Sequence, residues 1–191
     1  MENTIIERTI YVTHTHGDEE PPYHVPNAII GNPVAKALGR RYVEIDLNRS
    51  FNSSDEQVET YEERRAKYLT KILSDADVVV DIHRTTAVTQ FCAIVTKLDD
   101  VVYALRYQPS AVIIMNEYLS EHCLIGNVKH GVALEYPYTP IPYIGKPEVY
   151  RVKSMVEVQK EWKELEENEY GIPYMIGEKA YDGHCFLLER V

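Results

Sequence analysis

Two histidines and one glutamate stand at the ends of extended segments, with the spacing and chemistry of metal ligands. His16 and Glu19 form an HxxE step in the polar turn after Thr9–Thr13, and His83 closes the run Val78-Val79-Val80-Asp81-Ile82-His83. Catalytic zinc commonly takes three protein ligands, such as two His and one Glu, and keeps one position for water. Asp81 lies two residues before His83 on the same strand face, where a carboxylate can orient a ligand imidazole. HxxE is weak by itself, because common residue types recur at one offset by chance. A turn histidine bonded to backbone is its structural alternative, so the weight falls on what accompanies it.

The elements that must position these residues alternate between strand and helix. Thr9–Thr13 (TIYVT) is β-branched and aromatic and predicts a strand. Pro21, Pro22 and Pro26 exclude a long helix directly after the HxxE turn, and Ala28 to Gly31 predicts a short second strand. Asp55 to Leu73 carries Val58, Tyr61, Arg65, Tyr68, Leu69 and Ile72 at helical spacing, with Ser54 or Asp55 as the expected cap. The unbroken VVVDIH run suits a central strand covered on both faces. Further strands are expected at Phe91 to Thr96, Ala111 to Met115 and Val132 to Glu135, with a short helix at Asp100 to Tyr107. Pro147 to Asn168, rich in Glu, Lys, Val and Met, predicts a second long helix, and Ile172 to Val191 one or two closing strands. Such alternation indicates an α/β sheet, largely parallel or mixed.

The chain's 191 residues fit one domain, expected over 1–191. A net charge of −10 leaves no basic surface for nucleic acid and makes anionic membranes poor partners. Cys92, Cys123 and Cys185 are few, odd in number and widely spaced, which argues against a disulfide framework. With no apolar stretch of membrane-spanning length and no signal-peptide pattern, a cytoplasmic protein is the expectation.

Four blocks in order carry a more specific signal. His16-Gly17-Asp18-Glu19, Asn32-Pro33-Val34-Ala35, Arg41-Tyr42 with Asp46-Leu47-Asn48-Arg49-Ser50-Phe51, and Asp81-Ile82-His83-Arg84-Thr85-Thr86 together resemble the succinylglutamate desuccinylase/aspartoacylase family, zinc carboxypeptidase-like hydrolases. The resemblance covers roughly residues 8 to 136. It implies a phosphorylase/hydrolase-like α/β sandwich with a mixed, largely parallel central sheet flanked by helices. It also implies one Zn2+ on His16, Glu19 and His83, with Glu135 moving the proton of the attacking water and protonating the leaving amine. Arg41 would stabilise the oxyanion, and Asn48 and Arg49 would bind the carboxylate of a small-molecule substrate. The chemistry is coherent: zinc acidifies water and polarises a carbonyl, a glutamate can shuttle the proton, and arginine's fork matches a carboxylate.

Each assignment has an alternative. Arg49 could pair internally with Asp46, Arg40 could exchange roles with Arg41, and Glu135 could be a strand-end carboxylate facing solvent. Its flank, Tyr136-Pro137, departs from the family's usual Gly-Pro. His14, His24, His122, His130 and His184 match no motif, and His14 reads as structural. The segment from Tyr136 to Tyr150 fits a pocket wall or a surface loop equally.

The chain also departs from the family pattern. The helix that usually follows the metal-binding turn is not expected here, and neither is a C-terminal β domain, since only about twenty residues follow Asn168. No arginine precedes Glu135 to bind a second substrate carboxylate, and Lys129 is a poor substitute. These departures predict an open site, with closure by a second subunit of a homo-oligomer left open. The leading expectation is a zinc-dependent amidohydrolase acting on an N-acyl amino acid or similar small carboxylate. A carboxypeptidase for short peptides and a non-catalytic metal- or ligand-binding relative are the alternatives.

Overall fold

A computed structural model of the chain describes residues 7–52, 59–115, 120–141 and 145–191. Among them, nine strands form one sheet in the order β2-β1-β3-β6-β4-β5-β7-β9-β8. They are β1 (Thr9–Thr13), β2 (Ile29–Ile30), β3 (Val78–Thr85), β4 (Cys92–Val95), β5 (Ala111–Ile114), β6 (Gly131–Pro137), β7 (Glu148–Glu157), β8 (Ile172–Tyr174) and β9 (His184–Arg190). The pairs β1–β2, β1–β3, β3–β6, β4–β5 and β5–β7 are parallel, while β4–β6, β7–β9 and β8–β9 are antiparallel. The sheet is therefore mixed and largely parallel, as expected.

β3 shows why the central strands read clearly. Its β-branched residues are buried on both faces: Val79 joins one apolar cluster, and Val78, Val80 and Ile82 join the other. Helix α2 (Tyr61–Leu73) covers the first face through Ala66, Leu69 and Leu73. The short helix α3 (Val101–Ala104) places Ala104 in the second cluster. α2 starts at Thr60, whose side chain forms a reciprocal capping box with Glu63. The expected caps Ser54 and Asp55 lie outside the described residues. Asn32 caps helix α1 (Pro33–Leu38), its side chain accepting from the Ala35 amide at 3.0 Å, with Pro33 in the first turn.

The expected helix from Pro147 to Asn168 is not formed. Glu148–Glu157 is strand β7, and the residues after it are turns and bends. The reason is its period. Tyr150 and Val152 are buried, Ser154 and Val156 partly so, while Arg151, Lys153, Met155 and Glu157 between them face out. Alternation by two overrides the helical preference of Glu, Lys and Met.

Candidate active site

His16 sits in the turn after β1, and His83 lies near the carboxyl end of β3. The turn is seated by Gly17, whose amide donates to the Arg41 carbonyl at 3.0 Å. A Cβ on Gly17 would lie 2.2 Å from the Ala35 carbonyl carbon, so only glycine lets this turn rest against α1. No helix separates Glu19 from Asn32.

His16, Glu19 and His83 converge. Their relative exposures are 5%, 7% and 3%, and one donor atom from each lies within 4.8 Å of the others. Both imidazoles turn Nδ1 toward Glu19: His16 Nδ1 is 2.7 Å from Oε1 and His83 Nδ1 is 2.9 Å from Oε2. Both Nε2 atoms are backed by carboxylates, His83 by Asp81 at 2.7 Å and His16 by Asp46 at 3.1 Å. Asp81 in turn accepts from the Thr15 hydroxyl at 2.7 Å. Two imidazoles and one carboxylate facing a common point, each imidazole oriented by a second carboxylate, are a donor set that fits a divalent cation.

The buried charges shift one another. Burial disfavours the Glu19 carboxylate, yet the neighbouring His16 and His83 hold its pKa well below the usual value. Burial likewise opposes charge on the histidines, but Glu19 raises His16, and Asp81 with Glu135 raises His83 well above the ordinary range.

Arg41 adjoins this set. Its Nη1 donates to Glu19 Oε1 and its Nε to Asp46 Oδ2, both at 3.1 Å, while Nη2 approaches His16 Nε2 at 2.9 Å. Arg40 is exposed, so Arg41 is the arginine at the site. Asp46 opens the 3-10 turn Leu47–Arg49, its side chain accepting from the Asn48 amide at 2.8 Å. That turn presents Asn48 and Arg49 to the same pocket. Asn48 Nδ2 reaches His83 Nε2 at 3.5 Å, and its Oδ1 accepts from the Leu124 amide at 3.0 Å. The internal Arg49–Asp46 pair does not form. Asp46 is engaged by His16 and Arg41, and the Arg49 guanidinium donates to the Asn48 carbonyl at 2.7 Å.

Glu135 is brought in by strand register. It stands directly beside His83 across the β3–β6 ladder, lines the pocket and is only partly exposed. Burial, with help from the charges of Glu19 and Glu178, pushes its pKa up to about 7 despite the opposing effect of His83.

The C-terminal segment contributes residues that no motif signalled. Met175, Glu178, Ala180 and Tyr181 line the pocket. Glu178 is buried and pins this segment to the end of β3. Its Oε2 accepts from the Thr85 hydroxyl at 2.5 Å, the Thr86 amide at 2.7 Å and the Thr86 hydroxyl at 3.1 Å. Lys179 N donates to the Thr86 hydroxyl at 2.9 Å, and Glu178 Oε1 accepts from Ala180 N at 3.0 Å. The expected opening on this side is thus lined by the chain's own C-terminal residues. Sequence reasoning missed them because Glu178 and Tyr181 are common types without a spacing of their own.

Other candidates lie elsewhere. Lys129 pairs with Asp77 at 2.7 Å on the surface. His14 contacts Thr13 and Glu20, consistent with a structural role. No described residue from 136 to 150 lines the pocket, and 142–144 lie outside the described residues. Tyr138 instead stacks under the Arg84 guanidinium, 4.2 Å from the ring centroid.

Known proteins resemble the chain in part of its sequence and in its fold. The sequence model of the succinylglutamate desuccinylase/aspartoacylase catalytic domain matches residues 24–107. A "Probable aspartoacylase" of Nostoc sp. is 35% identical over 107 residues, 43% of this chain and 36% of that protein. The rat "N-acyl-aromatic-L-amino acid amidohydrolase (carboxylate-forming)" is 33% identical over 95 residues, 44% of this chain and 30% of that protein. The chain therefore spans about a third of the length of the curated relatives it matches. The crystal structure of murine aminoacylase 3 superposes with a TM-score of 0.72 at 20% identity, over 97% of this chain and 96% of that one. Succinylglutamate desuccinylase from Chromobacterium violaceum superposes with a TM-score of 0.71 at 14% identity, over 97% and 85%. At these identities the structural matches speak for the fold.

Proposed function

We propose that the chain, which resembles the succinylglutamate desuccinylase/aspartoacylase family in sequence and fold, is a zinc-dependent amidohydrolase that cleaves the amide bond of a small N-acyl amino acid. The observation that carries this reading is the meeting of His16, Glu19 and His83 at one point, with Glu135 in the adjacent register position. In this reading residues 1–191 work as one hydrolase domain. Its three free thiols suit a reducing, cytoplasmic compartment.

His16, Glu19 and His83 would hold the ion. When bound, zinc supplies Lewis acidity toward a carbonyl and makes water a stronger acid. The chain's own residues do the rest. Asn48 and Arg49 hold the substrate's carboxylate, the guanidinium of Arg49 matching its two oxygens. Arg41, held by Asp46 and Glu19, sets a fixed positive charge where the carbonyl oxygen gains negative charge. Glu135 takes the proton from the attacking water and delivers it to the leaving nitrogen. A carboxyl with a pKa near 7 can do both near neutrality, because it gains and releases a proton at little cost.

Glu135→Gln tests this assignment. Turnover of N-acetyl amino acids should fall by about 10²–10⁴-fold, the usual worth of a general base, while bound metal, measured by elemental analysis, stays at the wild-type level. In the unsubstituted protein kcat/KM should rise with pH through an acidic limb at or below about 7, since the base acts ionised and a neighbouring cation can only lower its pKa. Unchanged turnover in the variant would refute the role of Glu135. Faster hydrolysis of dipeptides than of N-acetyl amino acids would refute the substrate class.

A further inference from the structure

We propose that the pocket selects N-acyl derivatives of amino acids with compact apolar side chains and rejects aspartyl and glutamyl derivatives. The inference rests on the amidohydrolase reading and names its substrate more narrowly.

The pocket is polarised. Next to the polar row of His83 and Glu135, the same face of the sheet continues with Ala133 beside Asp81 and Ile94 beside Ala133. Ile94, Ala133, Met115, Cys123 and Ile125 form an apolar well in the pocket. Its place relative to the carboxylate end is fixed by a hydrogen bond: the Leu124 amide, between Cys123 and Ile125, donates to Asn48 Oδ1 at 3.0 Å. An amino acid whose carboxylate lies on Asn48 and Arg49 therefore has the wall of Cys123 and Ile125 next to it, and its side chain enters the well.

None of the five residues of the well carries a cation that would receive a second carboxylate. Arg41 is occupied by Glu19 and Asp46, and Arg49 holds the first carboxylate. Arg84, the remaining arginine of the lining, lies outside the well: its guanidinium stacks over Tyr138 and reaches the Pro137 carbonyl at 3.5 Å, leaving a buried Nε without a partner. Two acidic groups, Glu135 and Glu178, face the same space and repel an added negative charge. Burying an unpaired carboxylate against such a wall is strongly unfavourable. The whole pocket, catalytic row included, holds only about 70 Å³, so the well within it favours a compact side chain.

Leucine and aspartate side chains share one branched heavy-atom skeleton, so their N-acetyl derivatives contrast an apolar group with a charged one, the apolar group being the larger. The metal-loaded protein should show kcat/KM for N-acetyl-L-leucine at least about 100-fold above that for N-acetyl-L-aspartate, the scale on which unpaired polar groups are rejected. Met115→Lys, at a partly exposed position of the wall, should narrow that ratio about tenfold or more by giving the second carboxylate a partner. Calorimetric titration of both compounds into the Glu135→Gln variant supplies a readout that needs no turnover. Preferential binding of the leucine derivative upholds the inference even if the wild-type protein hydrolyses neither, which would sink the amidohydrolase reading alone. Equal or tighter binding of the aspartate derivative, or binding of neither, overturns the inference.

Discussion

The sheet has two regions built by different rules. β1, β3 and β6 lie side by side and parallel, and their buried runs supply His83, Glu135 and the turn that carries His16 and Glu19. β7, β9 and β8 are antiparallel neighbours at the other end, and β7 alternates inward and outward residues. The first region holds the donor atoms. The second, through the segment of Glu178 and Tyr181, supplies a wall. A site can thus have its chemistry fixed by one region and its boundary by another, joined through a few hydrogen bonds.

The contrast predicts a graded set of effects. Glu19→Ala should be the most severe, because it removes a proposed ligand and leaves two buried imidazoles without the carboxylate between them. Bound metal should fall to background in elemental analysis, and hydrolysis should fall by more than about 10³-fold. Metal retained at the wild-type level would break the assignment of chemistry to the parallel region.

Glu178→Ala addresses the joint between the regions. It removes the acceptor for Thr85 and Thr86 and should loosen the wall without touching a ligand. KM should rise by about tenfold, kcat should change by less than about threefold and metal content should hold, which is the signature of lost binding rather than lost chemistry. Glu178→Gln, which keeps an acceptor oxygen, should recover most of the loss. If Glu178→Ala lowered kcat and left KM alone, the division into chemistry and boundary would fail.

The smallest effect lies within the second region, at Glu164. Its carboxylate oxygens are buried, and that burial outweighs weak contacts with Thr89 and the Ile176 and Met175 backbone, raising its pKa to about 7. A folded-state pKa above the unfolded value means that the folded state binds more protons, so stability falls as pH rises from about 4.5 through 7. Glu164→Gln abolishes that penalty. The gain in stability over wild type should be about 2 kcal/mol larger at pH 8.5 than at pH 5.5, taking roughly 1.4 kcal/mol per pKa unit. Denaturant midpoints at the two pH values measure it, and a gain independent of pH would contradict the burial argument.

How far these regions were legible in the sequence follows from the same physics. Val78 to Ile82 announces a buried strand because both faces are covered and every residue is apolar or paired. The DLNR block reads as a site element only through the family resemblance, and the structure adds that Asp46 caps the turn that presents Asn48 and Arg49. β7 misleads because its outward positions are Arg151, Lys153, Met155 and Glu157, good helix formers, and only the burial of Tyr150 and Val152 reveals the period. Glu178 and Tyr181 were illegible for another reason. Glu178 acts through tertiary bonds to residues more than ninety positions earlier, no local spacing records such a contact, and Tyr181 is carried by the same segment.

One contact described above reaches further than its size suggests. Gly17 lies against the main chain of α1, so the loop bearing two of the three donor atoms is braced by backbone on backbone, with no side chain to change rotamer. The imidazole and carboxylate on either side of it are therefore spaced before any ion arrives. A cation bound as proposed would meet a braced loop and spend little of its affinity on gathering these two ligands.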